Sequence, residues 1–207
     1  MICILCALEI EYRNTIKFFS VDQRLMLDEQ WEAVWCGQHQ WLVVRCGVGK
    51  NTAARCMEYI ASCYSNISGV ISAGMAGAVS PLAKIGDIVI GSDILDYQLD
   101  AFPEEIRCDT PLSIQVPNTC CSQGKILSSS NFLNNGLLKK FLYEKYRPIC
   151  VEMESAGVVR ICNRDKIPFT GVKIISDYAD GSALKSILKM EISITEKLGR
   201  FLSNILL

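Results

Sequence analysis

Residues 149–180 of the chain read ICVEMESAGVVRICNRDKIPFTGVKIISDYAD, and the rest of the chain can be interpreted around this segment. Ile149 to Val151 is a short apolar segment and Phe169 to Ile175 is a second one, which predicts two buried strands. The residues between them predict a helix, so the stretch forms a strand, a helix and a second strand. Units of this kind build α/β sheets in which strands run parallel.

Acidic residues come directly after each of the two predicted strands. Glu152 and Glu154 come directly after the first strand, and Ser176-Asp177 ends the second. Ligands of open α/β sheets bind outside the carboxyl ends of the strands. We therefore expect these three carboxylates at one rim of the sheet, in a catalytic or ligand-binding role. Acids in such positions also cap helices, and for Glu152 capping alone is the alternative.

The composition is that of a globular protein. With 207 residues, half of them hydrophobic, the chain can bury a large core, and we expect one domain, residues 1–207. The formal net charge of −1 argues against a nucleic-acid or anionic-membrane partner, because both require a basic face. No apolar run in the sequence is long enough to span a bilayer. The N-terminal MICILCALEIEY lacks the features of a signal peptide, so we expect a cytoplasmic protein.

The chain has 11 cysteines and 1 histidine. Most of the cysteines fall in predicted apolar strands and helices, so we interpret them as buried thiols in a reducing compartment. Cys3 and Cys6 have the spacing CxxC, but on a strand they face opposite sides and cannot share a metal. The histidine, His39, lies at the tip of a predicted hairpin. We therefore expect no metal site, and acid–base chemistry that carboxylates perform.

Strands alternate with helices along the rest of the chain. A buried strand at 1–8 leads into a helix that Glu9 and Glu11 open, and an antiparallel hairpin occupies 31–46. The other predicted elements are a helix after Lys50, strands at 69–73, 86–95 and 125–127, a loop at 96–122, a helix through Leu137 and Leu142, and a helix at 183–205. This order predicts a twisted, mixed, mainly parallel sheet that helices cover on both faces.

Two glycine-rich segments lie where strands are predicted to end. Gly47 to Lys50 (GVGK) opens a helix, and a glycine turn in that position can hold an anion on its amides. The segment lacks the GxxxxGK[ST] pattern, which disfavours a nucleoside triphosphate. Gly74 to Ala78 (GMAGA) is predicted to be a turn, in which glycine allows either close approach to a ligand or tight packing against a helix.

Several segments of the sequence together resemble one family: ALEIE at 7–11, GVGKNTAA at 47–54, ISAGMAGAV at 71–79, IGDIVI at 85–90, SSSNFLN at 128–134, VEMESAG at 151–157 and IISDYAD at 174–180. They resemble the nucleoside phosphorylase superfamily, and most closely its hydrolytic branch, the methylthioadenosine/S-adenosylhomocysteine nucleosidases. The resemblance covers nearly the whole chain, in order. It implies a three-layer α/β/α sandwich, a homodimer, a small-molecule purine nucleoside as substrate, and no metal or organic cofactor.

The resemblance also implies roles for three acids. Asp177 resembles the general acid that delivers a proton to N7 of the purine, and Glu11 resembles the general base that activates the attacking water. Glu154 resembles the acid that binds the ribose hydroxyls. Carboxylates suit these roles because the transition state is oxocarbenium-like and develops positive charge.

Further residues of the same motifs complete the predicted substrate-binding set. By resemblance, Met153 packs against the sugar, Phe132 packs against the adenine ring, and the backbone at Leu133 reads the adenine edge. Glu152 and Ser176, which lie at the ends of the two buried strands of residues 149–180, belong to the same predicted substrate-binding set.

Three positions of the predicted site depart from the family pattern. Met75 stands where the hydrolases commonly have a serine near the attacking water. Lys173 stands where arginine is common in the same region, and lysine keeps the charge but loses the planar fork. The segment from Tyr97 to Phe102 is shorter than its family counterpart, and Phe102 resembles a residue that reaches the 5′ pocket of the partner subunit.

These departures leave alternatives open. A 5′ pocket that differs from the pattern suggests a different 5′ substituent, so 6-amino-6-deoxyfutalosine of the menaquinone pathway joins 5′-methylthioadenosine and S-adenosylhomocysteine as a candidate substrate. A phosphate-dependent phosphorylase is another alternative. It requires a phosphate cradle, and Arg45 and Arg160 are the arginines near the motifs. A non-catalytic nucleoside-binding relative is the last.

Overall fold

The computed structural model describes residues 1–37, 40–98, 103–115, 121–180 and 183–205, and for 183–191 it describes the backbone alone. Two residues discussed above, His39 and Phe102, lie outside this part of the chain. The strands are β1 (Ile2–Cys6), β2 (Gln23–Leu27), β3 (Trp31–Cys36), β4 (Trp41–Arg45), β5 (Gly69–Ala78), β6 (Ile88–Gly91), β7 (Ile94–Tyr97), β8 (Glu104–Ile106), β9 (Cys121–Gln123), β10 (Ile126–Ser129), β11 (Cys150–Glu152) and β12 (Phe169–Asp177). The helices are α1 (Glu9–Ile16), α2 (Lys50–Cys63), α3 (Gly136–Tyr146), α4 (Ser155–Asp165) and α5 (Ala183–Ser203).

The long strand β5 is the centre of a 12-stranded sheet. It pairs in parallel with β1 on one side and with β12 on the other, and its last residues, Gly77 and Ala78, pair antiparallel with β11. The sheet is mixed, as the order of predicted elements indicated. Because β1, β5 and β12 run in the same direction, the carboxyl ends of β1 and β12 lie on the same side of the sheet.

Helices cover both faces of the sheet, and the side chains of β1 illustrate this. Cys3 and Leu5 belong to a core that also contains buried residues of α2 and α4. Ile2, Ile4 and Cys6 belong to a second core, which includes residues 194, 198, 201 and 202 of α5. Successive residues of a strand point to opposite faces, so the three layers follow directly from this alternation. The same alternation separates Cys3 from Cys6, as the sequence predicted.

Two predicted elements differ from the structure. The GMAGA segment is not a turn but the second half of β5, because β12 pairs with it as far as Gly77 and β11 pairs with its last residues. The single strand predicted at 86–95 is two strands, β6 and β7, because β6 pairs with β12 whereas β7 pairs with β10. The sequence also missed β2, β8 and β9, which are short and largely exposed.

Helix α1 buries polar residues rather than an apolar stripe. Its buried side chains are Glu11, Tyr12, Asn14 and Thr15. Asn14 Nδ2 donates a hydrogen bond to Thr195 Oγ1 of α5 at 2.7 Å, so the polar face is satisfied by its neighbours. Among the described residues no helix combines the length and the apolar character that crossing a membrane requires.

Gly157→Ala is expected to lower the melting temperature by roughly 3–10 °C, because overpacking against backbone costs about 1–3 kcal/mol. A Cβ at Gly157 would lie 2.0 Å from the carbonyl oxygen of Lys50, where α4 crosses the start of α2. Gly136→Ala is the control, because a Cβ at that helical glycine meets nothing within 4 Å. Thermal unfolding measures both variants, and equal melting temperatures would contradict the close α2–α4 contact.

Candidate active site

A cavity of about 260 Å³ lies beside the ends of β1, β10, β11 and β12 and the second half of β5. It brings together residues from six separate parts of the chain: Ala7, Leu8, Glu11, Val48, Met75, Ala76, Gly77, Asn131, Phe132, Leu133, Val151, Glu152, Met153, Glu154, Ser176, Asp177 and Ala179. Glu11, Glu154 and Asp177 therefore open onto one cavity, as the sequence predicted. Each of the three is buried.

Backbone N–H groups fix the carboxylate of Glu11. The N–H groups of Ala7 and Leu8 donate to Oε2 at 3.0 and 2.8 Å, and the N–H of Met75 donates to Oε1 at 2.7 Å. Glu11 is the third residue of α1, so its side chain folds back over the start of its own helix. Burial raises the pKa of Glu11, although the hydrogen bonds from Leu8 and Met75 and the charge of Lys173 counteract it.

The glycines of β5 make room for two of the carboxylates. A Cβ on Gly74 would lie 2.8 Å from Glu11 Oε1, and a Cβ on Gly77 would lie 2.9 Å from Asp177 Oδ1. Neither position has space for a side chain. The sequence suggested that these glycines allow a ligand to approach the backbone; in the structure the protein's own acids approach it.

Glu154 is held by the glycine loop that precedes α2. The N–H of Gly49 donates to Glu154 Oε1 at 2.9 Å, and the backbone of Gly49 has φ 98°, a conformation that favours glycine. The loop thus binds an anion on its amide as the sequence suggested, but the anion is Glu154. Burial raises the pKa of Glu154 to about 7, with a further contribution from the negative charge of Glu152.

Asp177 ends β12 and is oriented by two near neighbours in the sequence. The hydroxyl of Ser176 donates to Oδ2 at 2.8 Å, and the N–H of Ala179 donates to Oδ1 at 2.8 Å. Ala179 has φ 50°, which turns the chain so that its N–H points back at the carboxylate. Ser176 therefore contributes to the site by orienting Asp177, in addition to lining the cavity.

Of the residues predicted to bind substrate, Lys173 lies off the cavity and Glu152 lies at its border. Lys173 does not line the cavity: its side chain is 2% exposed, and Nζ lies 2.8 Å from Glu152 Oε2 and 3.0 Å from Ser72 Oγ. Glu152 borders the cavity, but its side chain has no exposed surface and accepts hydrogen bonds from Ser155 N and Oγ and from Glu154 N. The capping role that was the alternative for Glu152 is the one its contacts fit.

Apolar residues form the rest of the wall. Phe132 is half-exposed at the cavity, Leu133 is buried, and Met153 and Met75 are partly buried. Sequence reasoning missed the contribution of Leu8 and of other lining residues, namely Ala7, Val48, Ala76, Gly77, Asn131, Val151 and Ala179. The signal was available, because all eight lie inside or beside the quoted motifs.

The cavity carries acids without cations. None of its described lining residues is lysine, arginine or histidine. Arg45 is paired with Glu9 and Glu32, and Arg160 is paired with Asp96 and Glu104, so both arginines have partners away from the cavity. Within the described ranges, no cluster of three or more His, Cys, Asp or Glu residues has an arrangement that could hold a metal ion.

Comparisons with known proteins agree with this fold. A family model described as the phosphorylase superfamily matches residues 2–207. A 5′-methylthioadenosine/S-adenosylhomocysteine nucleosidase from Baumannia cicadellinicola subsp. Homalodisca coagulata is 26% identical over 194 residues, which cover 83% of each chain.

Two solved structures from Helicobacter pylori have the same architecture. One is an MTAN mutant with 5′-methylthioadenosine in its active site (TM-score 0.81, 20% identity, 97% of this chain and 95% of that chain). The other is futalosine hydrolase of strain 26695 (TM-score 0.81, 22% identity, 98% of this chain and 95% of that chain). These likenesses confirm the predicted α/β/α fold.

Glu154→Gln is expected to raise the melting temperature more at pH 8 than at pH 5. The folded pKa is about 7 against an ordinary value of 4.5, so folding binds a proton between these values, and the group lowers stability as pH rises through that range. The neutral amide of glutamine removes this loss of stability. The expected gain in melting temperature at pH 8 is several degrees, at about 2–4 °C per kcal/mol of stability.

Thermal unfolding of wild type and variant at both pH values measures the difference. Glu144→Gln is the matched control, because Glu144 is an exposed residue of α3. A Glu154→Gln effect that is the same at pH 5 and pH 8 would contradict the raised pKa.

Proposed function

The chain belongs to the phosphorylase superfamily, whose model matches residues 2–207, and we propose that its cavity is the active site of a purine nucleosidase. The proposed reaction is hydrolysis of the N-glycosidic bond of a 5′-substituted adenosine-type nucleoside, which releases adenine. The observation that carries the proposal is the convergence of Glu11, Glu154 and Asp177 on one cavity. The names of the similar nucleosidase and futalosine hydrolase support the same class of reaction.

Glu11 is the proposed general base. A carboxylate has about four lone-pair positions, and the N–H groups of Ala7, Leu8 and Met75 take three of them. The remaining position accepts a hydrogen bond from water, and this water attacks C1′ of the sugar. The raised pKa of Glu11 makes its carboxylate a stronger base for the proton that the water loses.

Glu154 is the proposed ribose-binding residue. Its backbone partners are the N–H of Gly49 on Oε1 and, at 3.3 Å, the N–H of Met153 on Oε2. Each oxygen keeps a free lone pair, so the carboxylate can accept hydrogen bonds from two neighbouring sugar hydroxyls. Met153, which lines the same wall, would pack against the sugar.

Asp177 is the proposed general acid. It donates a proton to N7 of adenine as the C1′–N9 bond breaks, and the bonding electron pair leaves with the base. Phe132 and the backbone of Leu133 would hold the adenine ring beside it. The developing oxocarbenium ion lies among carboxylates, which stabilise its positive charge before the water adds and gives its proton to Glu11.

The main competing function is phosphorolysis, because the family includes phosphorylases by name. Phosphate carries nearly two negative charges and needs cationic or N–H donors. The described lining supplies acids instead, and Arg45 and Arg160 are paired elsewhere. Water is a neutral nucleophile that meets no such repulsion, and the charge of the cavity therefore favours hydrolysis.

The homodimer, the cytoplasmic location, the single domain and the choice of 5′ substituent stay predictions. So does Phe102 as a contact to the partner's 5′ pocket. The candidate substrates remain 5′-methylthioadenosine, S-adenosylhomocysteine and 6-amino-6-deoxyfutalosine.

Adenine release tests the proposed reaction. Purified protein is incubated with each candidate nucleoside in phosphate-free buffer and again with added phosphate, and free adenine and the sugar product are quantified. We expect release without phosphate and a free sugar rather than a sugar phosphate. Release that requires phosphate would identify a phosphorylase, and adenine binding without any release would identify a non-catalytic relative.

Asp177→Asn is expected to reduce kcat by about 10²–10⁴-fold, because the amide cannot supply the proton that the leaving purine needs. Adenine release measures the loss, and thermal unfolding checks that the variant is folded. Asp109→Asn is the control, because Asp109 is exposed and does not line the cavity. Near wild-type turnover of Asp177→Asn would remove Asp177 as the acid.

A further inference from the structure

Lys173 is a buried lysine that the proposed reaction does not use. It lies in the middle of β12, between β5 and β6, and pairs with Gly74 on one side and Val89 on the other. Its ammonium group is bound by Glu152 Oε2 at 2.8 Å and Ser72 Oγ at 3.0 Å. Burying a charge costs solvation free energy that a good ion pair does little more than return, so such a pair adds little stability over an apolar pair. Stability alone therefore does not account for this lysine.

The first consequence of this pair concerns the position of Glu154. The carboxylate that Lys173 holds accepts the N–H of Glu154 at 3.2 Å and the N–H of Ser155 at 3.0 Å. These two N–H groups belong to the turn between β11 and α4. Lys173 thus reaches the proposed ribose-binding residue through Glu152, without touching the cavity.

The second consequence concerns Glu11. Gly74 of β5 pairs with Lys173 of β12. Glu11 packs against this glycine, because a Cβ added to Gly74 would lie 2.8 Å from Glu11 Oε1. Ser72, which accepts the ammonium hydrogen bond, lies two residues earlier on the same strand. The buried cation therefore lies beside the same part of β5 against which the proposed base, Glu11 of α1, packs.

The charged and titratable groups around Glu11 come from four segments. Cys6 ends β1, Cys46 follows β4, Glu154 precedes α4 and Lys173 lies on β12. Burial raises the pKa of Cys6 to about 12 and that of Cys46 well above its ordinary value, so both thiols are neutral. Among these groups Lys173 supplies the positive charge. Asp177 shares the cavity.

We propose that Lys173 is a positioning residue of the active site: its ammonium group fixes the turn that carries Glu154 and supplies the positive charge that Glu11 faces. This inference rests on the proposed function for the role of Glu11 as base. Burial raises the pKa of Glu11 and of Glu154, and the charge of Lys173 lowers both, which is the direction the proposal requires. Without Lys173, Glu11 would be protonated over a wider pH range and would be a base less often.

A direct titration of Glu11 tests the electrostatic part. Glutamate side chains are labelled with ¹³C at the carboxyl carbon, and the Glu11 signal is assigned as the one that Glu11→Gln removes. In Lys173→Met the titration midpoint should move up by about one pH unit, the size of effect that an opposite charge at close range has. Because that variant leaves Glu152 buried without its partner, Glu152→Gln/Lys173→Met is measured as well, and a smaller shift in the same direction is expected.

Kinetics separate this role from a purely structural one. The acid limb of kcat/KM against pH should move to higher pH in both variants, whereas Lys173→Arg, which keeps the charge, should restore the wild-type limb. Lys125→Met is the matched control, because Lys125 pairs with Glu105 away from the cavity. If Lys173 had only a structural role, the double variant Glu152→Gln/Lys173→Met would regain stability, and the acid limb of its kcat/KM profile would stay at the wild-type pH.

The outcomes distinguish this inference from the proposed function. An unchanged Glu11 titration in Lys173→Met and in the double variant would overturn the role of Lys173, whatever the activity. If the wild-type protein releases no adenine from any candidate nucleoside, the proposed function fails, and the Glu11 titration still decides the role of Lys173.

Discussion

The site depends on a single constraint: buried carboxylates must be given hydrogen-bond donors by the fold. An unpaired carboxylate in the protein interior costs on the order of several kcal/mol. Glu11, Glu152, Glu154 and Asp177 are all buried within one region, and each accepts at least one backbone N–H at 3.2 Å or less. Backbone donors of this kind are placed by secondary structure. The positions of the acids are therefore as rigid as the strands and helices that present the N–H groups.

Strand β5 makes this arrangement possible because it has glycines, which lack side chains, where the acids lie against it. Its glycines at positions 74 and 77 leave space for Glu11 on one side and Asp177 on the other. The same strand joins β1, β11 and β12, and through them it connects the segments that carry the acids. Small residues thus have a double function here: they allow continuous pairing of strands, and they allow charged side chains to lie against the sheet.

The sequence predicted the layers and the acids because both produce local signals. The apolar runs of β1 and β12 are visible in the sequence, and acids directly after a strand indicate the rim. The GMAGA segment was mistaken for a turn because glycine usually signals one, whereas here partner strands on both edges override that preference. The sequence did not predict that Lys173 lies beneath the cavity, because its position depends on which face of β12 meets Glu152.

The same arrangement explains why a site in this superfamily can favour water over an anion. Helix N-termini attract phosphate because their N–H groups have no partners within the helix. Three helices begin at this site, and each gives such an N–H to an acid of the chain: Leu8 to Glu11, Gly49 to Glu154 and Ser155 to Glu152. These donors are no longer free to bind an anion, and the acids that occupy them would repel one. Under the proposed function, a neutral water beside Glu11 is then the nucleophile that the local charge favours.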